Sequence, residues 1–109
     1  MKFAALAFIA IIAASPMAFA EEAKVYEMKL ENHAFTPANL AVPAGKNFKI
    51  KLSNLDDTPA EFESKQLRFE KVVAGKKDIT VSVKALKPGT YGFYDEYHED
   101  VATGTVTAQ

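Results

Sequence analysis

The sequence has 109 residues, 13 basic and 14 acidic, a net charge of −1 and no cysteine. Disulfides, thiolate nucleophiles and cysteine metal ligands are therefore excluded. The near balance of charge offers none of the clustered basic surface that a nucleic-acid partner requires.

Taken from the start, Lys2 precedes an apolar run from Phe3 to Ala14. Ser15-Pro16 interrupts that run, and Ala18-Phe19-Ala20 stands before Glu21-Glu22. This order of charge, apolar stretch and small-x-small site is that of a cleavable secretory signal over residues 1–20. The alternative, a membrane anchor, needs roughly 20 apolar residues, and the run is about a dozen. A single domain is expected over residues 21–109, with 12 basic and 14 acidic residues and a net charge of −2. A domain this small buries only about 60–65% of its unfolded surface. Without disulfides, its apolar core must carry the fold.

A hydrophobic period of two runs through that domain. Tyr26, Met28 and Leu30 alternate with charged residues, as do Phe48, Ile50 and Leu52 with Lys49 and Lys51. Leu40 and Val42 flank Ala41 in a shorter strand between them. Glu61 and Glu63 flank Phe62, so in a strand the ring faces one way and both carboxylates the other. Ile79, Val81 and Val83 alternate with Thr80 and Ser82; Tyr91 to Tyr94 forms an aromatic strand, and Gly104 to Thr107 a β-branched one. Pro43-Ala44-Gly45 and Lys87-Pro88-Gly89 supply turn chemistry, and Asn54 to Pro59 reads as a polar loop. The stretch from Glu63 to Glu70 reads either as a short helical turn or as an irregular connection. About seven short strands at this spacing predict an antiparallel sandwich or barrel.

Candidate chemistry is confined to a few residues. His33 and His98 are the two histidines, both at predicted strand ends or in loops. His98 lies in Asp95-Glu96-Tyr97-His98-Glu99-Asp100, whose four acidic residues repel one another unless a cation is bound. Asp95 and His98 are close enough for a tight turn to aim both at one point. Glu61 and Glu63 form a second acidic pair, which also reads as a solvated strand face. No Gly-x-Ser-x-Gly elbow or glycine-rich phosphate loop occurs. Glu61 and Glu99 could imitate a glycosidase pair, but the domain is too small for an obvious sugar cleft.

Three segments resemble the cupredoxins: Ala34-Phe35-Thr36-Pro37-Ala38-Asn39-Leu40-Ala41-Val42-Pro43-Ala44-Gly45, Asn54-Leu55-Asp56-Asp57-Thr58-Pro59-Ala60-Glu61-Phe62, and Leu86 to His98. The resemblance implies an all-β, cupredoxin-like Greek-key β-sandwich. It also exposes departures. Ala60 stands where the family places its first copper histidine, and Asp95 where it places cysteine. His98 matches the second histidine, the axial methionine would fall near Ala102, and no methionine follows Met28. A blue-copper centre needs a His₂Cys core, so electron carriage of that type is excluded.

The pattern is similar to cupredoxin-like periplasmic proteins associated with bacterial ferrous-iron permeases. That resemblance implies a periplasmic protein binding iron or copper through His33, Glu61, Glu63, Asp95 and His98, with Glu63 replacing or assisting Glu61. Glu99 and Asp100 would add an attracting field. Its partners would be an inner-membrane iron permease and other uptake components, and the protein itself would not be embedded in the membrane. Exchanging thiolate for carboxylate moves a site from soft Cu(I) toward Fe²⁺, Fe³⁺, Mn²⁺ or Cu²⁺. A ferroxidase, a copper carrier and a metal-free docking module are the other readings. Whether His33 and His98 converge separates the docking module from the rest.

Overall fold

The computed structural model describes residues 22–109. The export signal expected over residues 1–20 lies outside the described residues. Nine strands follow: β1 (Lys24–Glu31), β2 (Ala34–Thr36), β3 (Asn39–Val42), β4 (Phe48–Asn54), β5 (Ala60–Ser64), β6 (Phe69–Val73), β7 (Asp78–Val83), β8 (Gly89–Asp95) and β9 (Thr103–Ala108). A single 3-10 turn, Glu96–His98, follows β8. Among the described residues no helix is long and apolar enough to cross a membrane.

The strands form two sheets, in the orders β2-β1-β4-β7 and β3-β9-β8-β5-β6. All the period-two runs become strands. Two further strands, β2 and β6, were not legible in the pattern. β2 has only three residues, too few to show a period. β6 lies at a sheet edge with most of its residues solvent-facing, so it lacks the apolar alternation that marks a half-buried strand. The segment after Glu63 is accordingly the end of β5, a turn and the start of β6. The sheets are mixed rather than purely antiparallel. β1 runs parallel to β4 and β3 parallel to β9, because the chain leaves the first sheet for β3 before returning to it at β4.

The inward faces close over Met28, Leu30, Ile50 and Leu52 from one sheet and Phe62, Phe93 and Val106 from the other, all almost fully buried. Three phenylalanines knit one end of this core. Phe93 meets Phe35 edge-on at a centroid distance of 5.0 Å and Phe62 at 5.4 Å, and Phe35 reaches Phe62 at 5.6 Å. Such offset and T-shaped arrangements add to the burial of the rings. Phe62 of β5 stands in register with Asp95 of β8, so this aromatic floor fixes the strand end from which the acidic loop departs.

Gly104 shows how tightly that floor is built. A Cβ there would lie 2.3 Å from the Phe93 ring and 2.7 Å from the Ala38 carbonyl oxygen, distances that neither neighbour can tolerate unmoved. Gly104→Ala is therefore expected to destabilise the fold by about 1–3 kcal/mol through overpacking. Chemical denaturation should show this as a lower midpoint with an unchanged denaturant slope.

Candidate metal centre

His33 is delivered by a two-residue hairpin. β1 ends at Glu31 and β2 begins at Ala34, so Asn32 and His33 alone make the turn, with φ of 51° and 57°. Positive φ at both central positions is the geometry whose twist matches the flanking strands, and asparagine suits it. The turn is held from outside. Asp56 accepts the Asn32 N–H at 2.7 Å and the His33 N–H at 3.0 Å, and its Oδ2 lies 3.7 Å from His33 Nδ1. Burial pushes the Asp56 carboxyl up, but the two backbone N–H groups, with His33 and Lys76 nearby, outweigh it and leave it below its ordinary range. Asp56 is itself placed by Asn54, which is buried. The Asn54 Oδ1 accepts the Asp56 N–H at 3.1 Å, while its amide nitrogen donates to the Thr58 carbonyl at 2.8 Å. The loop that read only as polar is thus a support for His33.

His98 is delivered by the turn after β8. Asp95, 1% exposed, caps that turn: its Oδ1 accepts the Tyr97 N–H at 3.0 Å and also the Glu61 N–H at 3.0 Å. Its Oδ2 lies 3.0 Å from His98 Nδ1. The Ala102 N–H donates to the His98 carbonyl at 2.9 Å and the Asp95 N–H to the Ala102 carbonyl at 3.0 Å, closing the loop on itself. The two imidazoles then stack, with centroids 3.8 Å apart and planes 24° from parallel. His33 and His98, separated by 65 positions in the chain, converge at one end of the sandwich. Donor atoms of His33, Asp95 and His98 all lie within 4.8 Å of one another.

Glu61 and Glu63 do not join this group. Strand periodicity turns Phe62 and its partner Asp95 toward the core, leaving both glutamates on the outer face of β5. There they meet Glu70 of β6 and Glu96 of the 3-10 turn, with donor oxygens of all four again within 4.8 Å. Glu63 stands directly opposite Glu70 in the strand register, a like-charge pairing that destabilises a sheet. Two carboxylate oxygens of this group, Glu61 Oε1 and Glu63 Oε2, are buried with no hydrogen-bond partner. Sequence reasoning missed Glu70 and Glu96. Glu96 was legible only as one charge among four in its loop, and Glu70 lay in the segment with no clear period.

The cost of this crowding appears in the protonation equilibria. A hydrogen bond to Glu70 raises the Glu61 carboxyl above the usual glutamate range, with desolvation and repulsion from Glu70 adding to it; Glu96 and Tyr97 pull the other way. A hydrogen bond to Glu96 raises Glu63, again helped by desolvation and repulsion, against Lys65 and Tyr94. The glutamate group has the deficits that a bound ion removes, unpartnered buried oxygens and mutual repulsion, and the histidine group offers imidazole with carboxylate, a borderline-to-hard donor set.

A family model for the cupredoxin-like domain matches residues 2–108. The chain belongs to the cupredoxin-like family. An uncharacterized protein of Rickettsia prowazekii is 34% identical over 80 residues, covering 73% of this chain, and the chain spans 64% of that relative's length. Among solved structures, this cupredoxin-like protein is similar to auracyanin A, a blue copper protein of Chloroflexus aurantiacus, with a TM-score of 0.66 at 15% identity, covering 78% of this chain and 98% of the other. It is also similar to the metal-binding domain of the Streptococcus pneumoniae Cu(I)-exporting P-type ATPase CopA, with a TM-score of 0.67 at 11% identity over 78% and 84%. The purple cupredoxin of Nitrosopumilus maritimus gives 0.58 at 18% over 79% and 99%. At these identities the likeness establishes the shared fold. Within it, Ala60 is buried in this chain at 2% exposure and offers no donor, and His33 arrives from the β1–β2 hairpin.

The raised glutamates fix a pH dependence. Their folded-state values lie above the unfolded ones, so the stability they contribute is present at low pH. It is lost as pH rises from the ordinary glutamate value through the elevated folded values. Asp56 acts oppositely, but its window opens only below its ordinary range. Relative to Glu70→Gln, the metal-free protein is therefore expected to lose melting temperature over the interval from the ordinary glutamate range up to neutral pH, read by scanning calorimetry. A difference that stays constant across that interval would count against the repulsion.

Proposed function

We propose that the protein is an exported metal-binding carrier of an iron-uptake system. It works in the periplasm, taking up Fe²⁺ or Cu²⁺ and passing iron to a membrane permease. The observation that carries this reading is the convergence of His33, Asp95 and His98 from two remote segments, each positioned by its own hydrogen bonds. Asp56 holds the first hairpin and Asp95 caps the second turn. Donors preorganised in this way lose little entropy on closing around an ion.

Iron is the cargo favoured by the overall donor set. Two imidazoles with one carboxylate resemble the arrangement used by non-haem iron, and glutamates alone make a hard oxygen set that suits iron over Cu(I). The face of Glu61, Glu63, Glu70 and Glu96 lies beside the histidine group through Asp95, which bonds the Glu61 N–H and His98 together. An ion on that face would meet the two buried, unpartnered oxygens. Glu99 and Asp100 extend the negative field around the same end and favour cation capture.

A copper carrier is the second reading, supported by the same imidazole–carboxylate set, which also suits Cu²⁺. A metal-free docking module would have no use for buried carboxylate oxygens left without partners. Oxidation of iron by oxygen needs four electrons per O₂, so a carrier and a ferroxidase differ in stoichiometry. Titration of Cu²⁺ and Fe²⁺ into the metal-free protein, followed by calorimetry, is expected to show binding that His98→Ala weakens at least about tenfold, as loss of a metal's surroundings does. Equal binding by the variant removes the histidine group as the site. Under air, Fe²⁺ loss that stops at one equivalent identifies a carrier; continued turnover identifies a ferroxidase.

A further inference from the structure

We propose that Asp95 is a positioning residue that keeps the proton of His98 on Nδ1 and so makes Nε2 the nitrogen that ligates the ion. The inference rests on the reading of the histidine group as a metal site and assigns the atoms that form it. Asp95 Oδ2 lies 3.0 Å from His98 Nδ1. A carboxylate has only acceptors to offer, so the ring nitrogen facing it donates, and a neutral imidazole then keeps its lone pair on the other nitrogen. Which nitrogen of a histidine takes a metal is set by the hydrogen bond that the other makes. Nδ1 is therefore occupied. Nε2, on the far side of the ring from Asp95, carries the lone pair.

Asp95 is well placed to hold that proton and badly placed to ligate the ion itself. Its side chain is 1% exposed, against 33% for His98, so an ion arriving from solvent meets the imidazole first. Its Oδ1 already accepts the N–H groups of Glu61 and Tyr97, both at 3.0 Å, which fixes the carboxylate. An ion wedged between Oδ2 and Nδ1 would displace the proton at a depth that water scarcely reaches, leaving its other coordination positions empty. An ion on Nε2 keeps every one of these bonds. The carboxylate then serves the metal through the ring, since such a bond fixes the tautomer and orientation of a ligating histidine and raises its basicity. Stacking on His33, with centroids 3.8 Å apart, covers one face of the same ring and restrains it further.

Asp95→Asn isolates the effect. The asparagine carbonyl can still accept both backbone N–H groups, while its NH₂ faces the ring and requires an acceptor there, which moves the imidazole proton to Nε2. Zn²⁺ is a suitable probe, being diamagnetic and well matched to imidazole. The chain has two histidines, so nitrogen NMR resolves each ring at about pH 8, above the reference imidazole value, and His98→Ala identifies the His98 signals. The metal-free wild type is expected to carry the His98 proton on Nδ1. Zn²⁺ should shift Nε2 and leave Nδ1 protonated. Asp95→Asn should move the proton to Nε2 and weaken Zn²⁺ binding about 10–100-fold, with the backbone amide spectrum of the folded protein retained. A proton on Nε2 in the metal-free wild type, or a Zn²⁺ shift at Nδ1, overturns the assignment without recourse to the variant. Wild-type affinity in Asp95→Asn also overturns it, as does weaker binding with the tautomer unchanged, which would mark Asp95 as a ligand. If wild type binds no Zn²⁺, or His98→Ala binds it equally, the histidine site falls and the assignment with it. A metal-free spectrum that still places the proton on Nδ1 then marks the failure as that of the site.

Discussion

A single buried carboxylate organises this end of the molecule. Asp95 bonds the backbone of β5 at Glu61, the backbone of the 3-10 turn at Tyr97 and the ring of His98. Almost no solvent reaches it, so these bonds are made in a setting where an unsatisfied acceptor costs about 1–3 kcal/mol or more. Phe62, its register partner, lies in the aromatic floor below. Strand β8 thus ends in a buried polar residue with bonds on both of its oxygens. From that point the chain can carry Glu96 to one side and His98 to the other.

Two donor groups of different character result. The histidine group is held by outside bonds: Asp56 fixes the His33 hairpin, and the stacked rings meet face to face. The glutamate group is held against its own repulsion. Glu63 faces Glu70 across the strand pair, and one of its oxygens is buried without a partner. Proteins seldom leave such atoms unsatisfied. Local instability of this kind is tolerated here because β5 is pinned on its inner face by Phe62, Ala60 and Ser64, all buried. The core stabilises a surface that by itself would come apart.

Much of the architecture was legible in the alternation of apolar and polar residues. That pattern survives because each sheet is wet on one side and dry on the other. It failed for β2 and β6, one too short for a period and the other exposed along most of its length. Mixed strand directions were hidden for another reason: periodicity records which face a residue occupies and carries no information about its neighbour's direction. For the candidate site, His33, Asp95 and His98 were legible as chemistry-bearing residues. Asn54 and Asp56 were not, since their task is performed through backbone groups and leaves no distinctive spacing.

The amino-acid order alone determined a sandwich or barrel of short strands, the absence of thiolate chemistry and the kinds of donor available. The resemblance to cupredoxins also fixed which ligand positions had been lost, at Ala60 and Asp95. Tertiary structure decided the grouping. Phe62 and Asp95 share the inner face, so Glu61 and Glu63 turn outward toward Glu70 and Glu96, away from the histidines. Residue types list what can bind an ion. Strand register and turn capping decide which of those atoms stand within reach of one another, because both depend on partners tens of positions away in the chain.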